Sequence, residues 1–288
     1  MLNIKSKALT HLSHFEFLKW RFLVVMVFGL MWGMAALAAN PSDWWVHIAN
    51  DRAESVRSML ARGADPNALS DKGQPAIMQA VRDNAWTVYD VLAAHPKTKI
   101  EIVNANGETP LMYLAVVGQT QRAQALIKRG AQVNRLGWTP LQYAASKGHL
   151  DTVKMLIANK AMVNAPGPDG TTALMMAAYD GNEAVVRYLL AHGADATMVN
   201  LQQLDAADWA REKGNTALAK QLDALTSKVL ARRAAQRQSG DDAAQAIINL
   251  DDVDAVAAPA KKSDPQSGQE HGTSRYFDLD RFNEPSEP

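Results

Sequence analysis

Hydrophobic residues in the middle of the chain recur at the spacing of a helix. Residues three and four positions apart lie on one face of a helix, so this spacing predicts amphipathic helices. The pattern occurs at Val153, Leu156 and Ile157, and again at Val185, Val186, Leu189 and Leu190. Small residues precede these segments, at Ala115, Ala144-Ala145 and Ala177-Ala178. We therefore expect pairs of helices that approach each other closely at the alanines.

Three sets of positions repeat along the chain with a common period near 33 residues. The first set is Gly63-Ala64-Asp65, Gly130-Ala131-Gln132, Lys160-Ala161-Met162 and Gly193-Ala194-Asp195. The second is Gln74-Pro75-Ala76, Thr109-Pro110-Leu111, Thr139-Pro140-Leu141 and Thr172-Ala173-Leu174, with steps of 35, 30 and 33 residues. The third is Gly118, Gly148, Gly181 and Gly214, with steps of 30, 33 and 33. Because three independent sets share one period, they predict a stack of repeated units.

The repeated residues also predict where helices begin and end. Thr109 and Thr139 can accept a backbone N–H at a helix start, and Pro110 and Pro140 suit the first helical position. The glycines of the first set are expected to end the second helix of each unit in a left-handed conformation. Lys160 replaces glycine there, so its backbone should cost about 1 kcal/mol.

These motifs resemble the ankyrin repeat family, whose unit is a turn and two antiparallel helices with the signature T-P-L-H-x-A. The best match is Thr139-Pro140-Leu141-Gln142-Tyr143-Ala144-Ala145, followed by Gly148-His149. In the weaker second unit, Asp83 stands where the third set has glycine. The resemblance implies an all-α ankyrin-repeat solenoid, residues 40–229, of about six helix-turn-helix units: 43–70, 71–103, 104–134, 135–166, 167–200 and 201–229.

The first 39 residues have the pattern of a targeting segment. A basic leader precedes an uncharged apolar run that ends in Ala35-Ala36-Leu37-Ala38-Ala39, which favours a signal peptide cleaved after Ala38 or Ala39. The leader is long, so an uncleaved membrane anchor through residues 22–38 is the alternative. In both cases the following chain is exported. We expect a periplasmic, monomeric bacterial protein, with an inner-membrane form facing the periplasm or a secreted form as alternatives.

The C-terminal residues 230–288 are predicted to be a helical extension and a disordered acidic tail. They carry seven Lys+Arg and eleven Asp+Glu, a net charge of −4, and few bulky apolar residues. Two segments differ from the rest: Ala246-Ile247-Ile248-Asn249-Leu250, which could form a short amphipathic turn, and a segment with apolar residues at Tyr276, Phe277, Leu279 and Phe282. The second segment has three aromatic residues in seven. It could dock on a partner or on the chain's own concave face, or it could be idle.

Composition and motifs give no sign of catalysis. The chain has 30 Lys+Arg, 30 Asp+Glu and no Cys, which argues against nucleic-acid binding and excludes a disulfide framework and cysteine-ligated metal. No pair of His residues has the spacing of a helical metal site, and there is no phosphate-binding Gly-rich loop. His149 is expected to have a structural role. We therefore predict no enzyme, no catalytic residue, no cofactor and no metal.

The predicted function is non-enzymatic binding of a partner protein through the concave face and turn tips. Large apolar side chains are frequent at binding hot spots. Those expected on this face are Met78, Tyr113, Trp138, Tyr143, Met176 and Trp209, and the polar rim is expected at turn tips such as Asn104, Asn106, Arg135 and Asp169. These apolar side chains could instead pack between neighbouring helices. Alternative functions are an accessory or immunity-type subunit that inhibits or stabilises an exported enzyme, and a secreted effector that binds a host protein.

Overall fold

The structure is a computed structural model that describes residues 40–239. The predicted leader, residues 1–39, and the predicted tail from residue 240 onwards lie outside this range, as does the aromatic segment 276–282. Those expectations therefore stay predictions. No helix within residues 40–239 is both long and apolar enough to cross a bilayer.

Twelve α-helices in residues 40–239 follow one another in six pairs. In chain order they are α1 (Trp44–Ala49), α2 (Ala53–Ala61), α3 (Ala76–Arg82), α4 (Trp86–Ala94), α5 (Pro110–Val116), α6 (Thr120–Lys128), α7 (Pro140–Ser146), α8 (Leu150–Ala158), α9 (Ala173–Asp180), α10 (Glu183–Ala191), α11 (Ala206–Glu212) and α12 (Thr216–Ser239). The described residues contain no strand beyond an isolated bridge between Leu69 and Pro75. The predicted all-α solenoid is thus confirmed.

The helices form two rows. The first helices of the pairs pack side by side from α1 through α3, α5, α7 and α9 to α11, and each also contacts the second helix of its own pair. In the other row, α8 lies between α6 and α10. A single pair cannot bury its apolar face, so the interfaces between neighbouring pairs supply the stability of the stack.

Polar caps start the first helices, as the sequence predicts. Thr109, Thr139, Thr172 and Asp205 each accept the backbone N–H three residues on. Lys160 has φ of 67°, which is the left-handed conformation expected from its place among the glycines.

The glycines in the middle of the units leave room for side chains of the next unit. A Cβ on Gly118 would lie 2.6 Å from His149 Nδ1, and the other ring nitrogen of His149 lies 2.9 Å from the Val116 oxygen. His149 therefore has the structural role that we expected. In the second unit the equivalent left-handed residue is Asn84, with φ of 55°, and not Asp83 as predicted, because Asn tolerates this conformation better than most residues.

Asparagine side chains link successive units at the base of each turn. Asn134 donates to the Lys160 oxygen at 2.8 Å and accepts from Met162 N at 2.8 Å. Asn164 makes the same two bonds one unit later, at 2.8 and 2.9 Å to Gly193 and Asp195. The repeated Asn thus fixes the position of each turn relative to the next.

Between the pairs, the chain forms turns that we call fingers. Four of them, residues 70–74, 104–108, 167–171 and 200–204, are closed by a backbone hydrogen bond from the first residue to the oxygen of the last. The remaining one, residues 134–138, is the short finger. Thr139 follows Gly130 by nine positions, whereas Thr172 follows the equivalent Lys160 by twelve. The short finger is therefore three residues shorter than the next one, and we call the surface formed by its residues Leu136 and Trp138 the notch.

The last helix, α12, is longer than any other helix of residues 40–239. It has 24 residues, whereas the preceding second helices have nine. Arg233, in its extension, donates to Asp195 at 2.9 Å and to Thr197 at 2.7 Å. The extension thus lies against the turn where a seventh unit would otherwise pack.

Candidate functional site

Five of the six predicted contact residues are buried. Each has 5% or less of its surface exposed, and all join the hydrophobic core: Met78, Tyr113, Tyr143, Met176 and Trp209. The expectation that they form an exposed surface is therefore wrong. The first helices have only six to eight residues and lie between two neighbouring helices, their own second helix and a finger, so that little of their surface is left open. The sixth residue, Trp138, is half-buried in the short finger.

Two of these buried residues, Tyr113 and Tyr143, belong to a polar cluster that spans three units. Tyr113 Oη donates to Gln74 Oε1 at 3.4 Å and accepts from Asn104 Nδ2 at 3.2 Å. Asn104 Nδ2 also lies 2.7 Å from Glu108 Oε2, and Tyr143 Oη donates to Glu108 Oε1. We call these five residues the groove cluster. Asn104, which we expected in the polar rim, is instead buried at the centre of this cluster.

One donor of the groove cluster has no acceptor within residues 40–239. Gln74 is 7% exposed, and its Nε2 has no hydrogen-bond partner there. Leaving a buried donor unsatisfied costs about 1 to 3 kcal/mol. Six other buried side-chain atoms of residues 40–239 share this state, among them the indole nitrogens of Trp44 and Trp209, so Gln74 Nε2 alone does not mark a binding site.

The notch lies beside the groove cluster and carries an apolar pair. Leu136, in the short finger, is 97% exposed. The ring of Trp138 lies over Gly167, where a Cβ would come within 2.7 Å of the indole. Arg135 Nη1 donates to the Gly107 oxygen at 2.9 Å and so ties the short finger to the preceding finger. Leu136 and Trp138 thus form an apolar edge of fixed position.

A buried glutamine joins the start of α7, directly after the short finger, to the turn that follows α8. Gln142 has the position of the signature histidine and is fully buried. Its Oε1 accepts from Thr139 N at 2.7 Å, while its Nε2 donates to the oxygens of Thr171 at 2.7 Å and Ala165 at 3.2 Å. The notch is therefore preorganised, which lowers the entropic cost of binding.

Sequence reasoning did not single out Gln74, Glu108 or the notch. The 30-residue step from Thr109 to Thr139 was the signal for the notch, since it is three residues shorter than the period. For Gln74 and Glu108, the signal was a polar residue directly before the buried start of a first helix. Neither signal reveals which residues of the next unit lie opposite.

The described residues offer little for chemistry at a metal. No group of three or more His, Cys, Asp or Glu within residues 40–239 is arranged to hold a metal ion. The groove cluster can donate and accept hydrogen bonds and can attract a cation through Glu108. It is thus suited to recognition.

Comparison with known proteins identifies the family. A model of ankyrin repeats in three copies matches residues 45–136, 86–166, 123–200 and 162–225. The chain belongs to the ankyrin repeat family. Ankyrin repeats are generally protein-interaction modules, and their fold is typically a non-enzymatic scaffold.

Individual relatives cover only parts of the molecule. The chain is 32% identical over 133 residues to ankyrin repeat and SAM domain-containing protein 6 from Rattus norvegicus and to the same protein from Mus musculus. This is 46% of the chain but only 12% of those proteins. Among solved structures, the ankyrin repeat domain of Bcl-3, a member of the IkappaB protein family, superimposes with a TM-score of 0.52 at 28% identity, covering 62% of this chain and 81% of that one.

Proposed function

We propose that the protein is an exported, non-enzymatic interaction module that binds a partner protein at the notch and the adjoining groove cluster. The observation that carries this proposal is the apolar edge of the short finger, where Leu136 is 97% exposed and the half-buried ring of Trp138 lies over Gly167. Tryptophan is among the residues that are enriched at binding hot spots.

The chemistry of the site favours an extended peptide segment. An aromatic or aliphatic side chain of the partner covers Leu136 and Trp138. Binding requires little rearrangement of the stack, because Arg135 already ties the short finger to the preceding finger.

A photo-crosslinking amino acid at position 136 tests the proposal in the native compartment. Leu136 is almost fully exposed, so its replacement leaves the fold intact. We expect one discrete adduct with a partner, identified by mass spectrometry, and loss of that adduct when Trp138→Ala is added. The matched control is Leu201, which is 77% exposed in another finger and should give no such adduct. Equal labelling from both positions would contradict the proposal.

The polar contact has a test of its own. Tyr143→Ala would open a large cavity in the core, so Tyr143→Phe is the sharper variant, since it removes only the hydroxyl that donates to Glu108. Tyr143→Phe should weaken the crosslink at position 136, and its cost in stability, about 1 to 3 kcal/mol because the buried Glu108 loses this donor, is measured beside it from the melting temperature. An unchanged crosslink yield would exclude the groove cluster from binding.

Export is the other part of the proposal, and it is supported by the basic leader and the apolar run of residues 22–39. An alkaline phosphatase fused after residue 239 should be active outside the cytoplasm, and inactive when Leu23→Arg and Val25→Arg interrupt the apolar run. The intact mass of the native protein then distinguishes a mature chain that begins at Ala39 or Asn40 from an uncleaved anchor.

A further inference from the structure

The net charge of zero conceals two regions of opposite sign. Residues 40–239 carry 22 Lys+Arg and 18 Asp+Glu, a net charge of +4. Residues 240–288 carry four Lys+Arg and eleven Asp+Glu, a net charge of −7. Opposite charges on one chain raise the probability of contact between the two regions, and this attraction is weakened by salt.

The acidic region contains a segment whose chemistry matches the notch. Residues 276–282 combine apolar side chains at Tyr276, Phe277, Leu279 and Phe282 with two acids and one base. Aromatic side chains bury a large apolar area at low entropic cost, so they are suited to cover the exposed Leu136.

The length of the chain allows the segment to reach the notch. Thirty-six residues, 240–275, join the end of α12 to the segment. Fully extended, they span up to about 120 Å. The notch lies two units from the sixth pair, and helices that pack side by side are about 8 to 10 Å apart, so the distance along the stack is about 20 Å.

We infer that residues 276–282 bind in the notch of their own chain and occupy the partner-binding surface. The inference rests on the binding surface proposed above. A partner then has to displace the segment, so its apparent affinity is reduced by the fraction of molecules in which the notch is occupied. The tail thus acts as a built-in competitor of the partner.

Distance measurement between two spin labels on the full-length chain tests this inference. The chain has no Cys, so Asn106→Cys and Asn283→Cys introduce two unique labelling sites. Asn106 is exposed in the finger next to the notch. We expect one short, narrow distance, and a broad distribution of long distances after Phe277→Ser with Phe282→Ser. A broad distribution without those changes would overturn the inference.

Matched variants and dilution show whether the contact is specific and lies within one chain. Ile247→Ser with Ile248→Ser changes the same tail outside the segment and should leave the short distance unchanged. Leu136→Ser should abolish the short distance, whereas Leu201→Ser in another finger should not. Dilution with excess unlabelled chain preserves an intramolecular distance. If the short distance is lost on dilution, the notch instead binds the segment of a second copy of the chain, and the inference is overturned.

The two proposals fail separately. A partner adduct at position 136 without a short tail distance would contradict only the inference about the tail. A short tail distance without any partner adduct, even in the Phe277→Ser and Phe282→Ser chain, would contradict the proposed function. If both hold, the Phe277→Ser and Phe282→Ser chain should give a several-fold higher yield of the partner adduct.

Discussion

At the scale of single residues, equivalent positions make equivalent hydrogen bonds between successive units. Asn134 and Asn164 both join their turn to the turn of the next unit. In the second unit Glu101 has this position, and it accepts from Gln132 N at 3.0 Å. Because each bond joins neighbouring units, a substitution there acts on an interface and not only on one turn.

Lys160 stands at a position where other units have glycine, and its left-handed backbone conformation is strained. The equivalent residues Gly130 and Gly193 adopt the left-handed conformation without a Cβ, whereas Lys160 adopts it with one. Lys160→Gly should therefore raise the free energy of unfolding by about 0.5 to 1 kcal/mol in urea titrations. Lys154→Gly, inside α8, should lower it by about 1 kcal/mol. Destabilisation by both changes would show that Lys160 is not strained.

At the scale of elements, α12 ends the stack by means of a partly buried carboxylate. Burial opposes the ionisation of Asp195, but hydrogen bonds from Thr197 and Arg233 outweigh it and lower the pKa of Asp195. A carboxylate with a lowered pKa in the folded state stabilises the fold above its ordinary pKa, about 3.9. That stabilisation is lost as the pH falls through the lowered pKa.

The ion pair of α12 therefore predicts a pH-dependent effect of substitution. Arg233→Gln should lower the free energy of unfolding at pH 7 by up to about 1 kcal/mol, since the pair is partly exposed. The difference from the wild-type chain should shrink below about pH 3.9, as Asp195 becomes protonated. Urea titrations at pH 7 and at a pH below about 3.9 measure this difference in the free energy of unfolding. Arg237→Gln, at an exposed position of the same helix, is the control. A difference that is independent of pH would rule out a role for Asp195.

Comparison of elements also shows how far the sequence leads. The caps at Thr109 and Thr139 and the left-handed Lys160 follow from local rules and were predicted. The burial of Tyr113 and Tyr143 was not, because it depends on how fingers and neighbouring helices cover a short helix. Tyr143 and Glu108 are 35 residues apart and meet only through stacking of units. Repeat patterns thus predict the elements better than the site.

At the scale of the whole molecule, the core consists of two clusters that meet in α5. The N-terminal cluster takes Leu111, Tyr113 and Leu114 from this helix, and the C-terminal cluster takes Met112, Ala115 and Val116. In the row of second helices, α4 and α6 lack the close packing that joins α6 to α8. The interface between α4 and α6 lies inside the N-terminal cluster, to which both helices contribute, and it is less closely packed than the interface between α6 and α8.

A single arginine bridges that weaker interface. Arg122 of α6 makes two hydrogen bonds of 2.9 Å to Asp90 of α4, and its guanidinium lies 4.9 Å from the centre of the Trp86 ring. A bidentate pair and a cation–π contact at a partly exposed site together contribute about 1 to 2 kcal/mol. In a solenoid, stability is a sum of unit and nearest-neighbour terms, so weakening one interface affects the cooperativity of the whole.

Arg122→Ala should therefore let the N-terminal units unfold separately. Hydrogen exchange at increasing urea should give one transition for residues 44–94 and a later one for residues 140–212, whereas the wild-type chain should give coincident transitions. Arg211→Ala is the matched control, because Arg211 pairs with Asp208 and Asp223 inside the sixth unit. If Arg122→Ala keeps the transitions coincident, apolar packing alone joins α4 to α6 and the arginine bridge is dispensable.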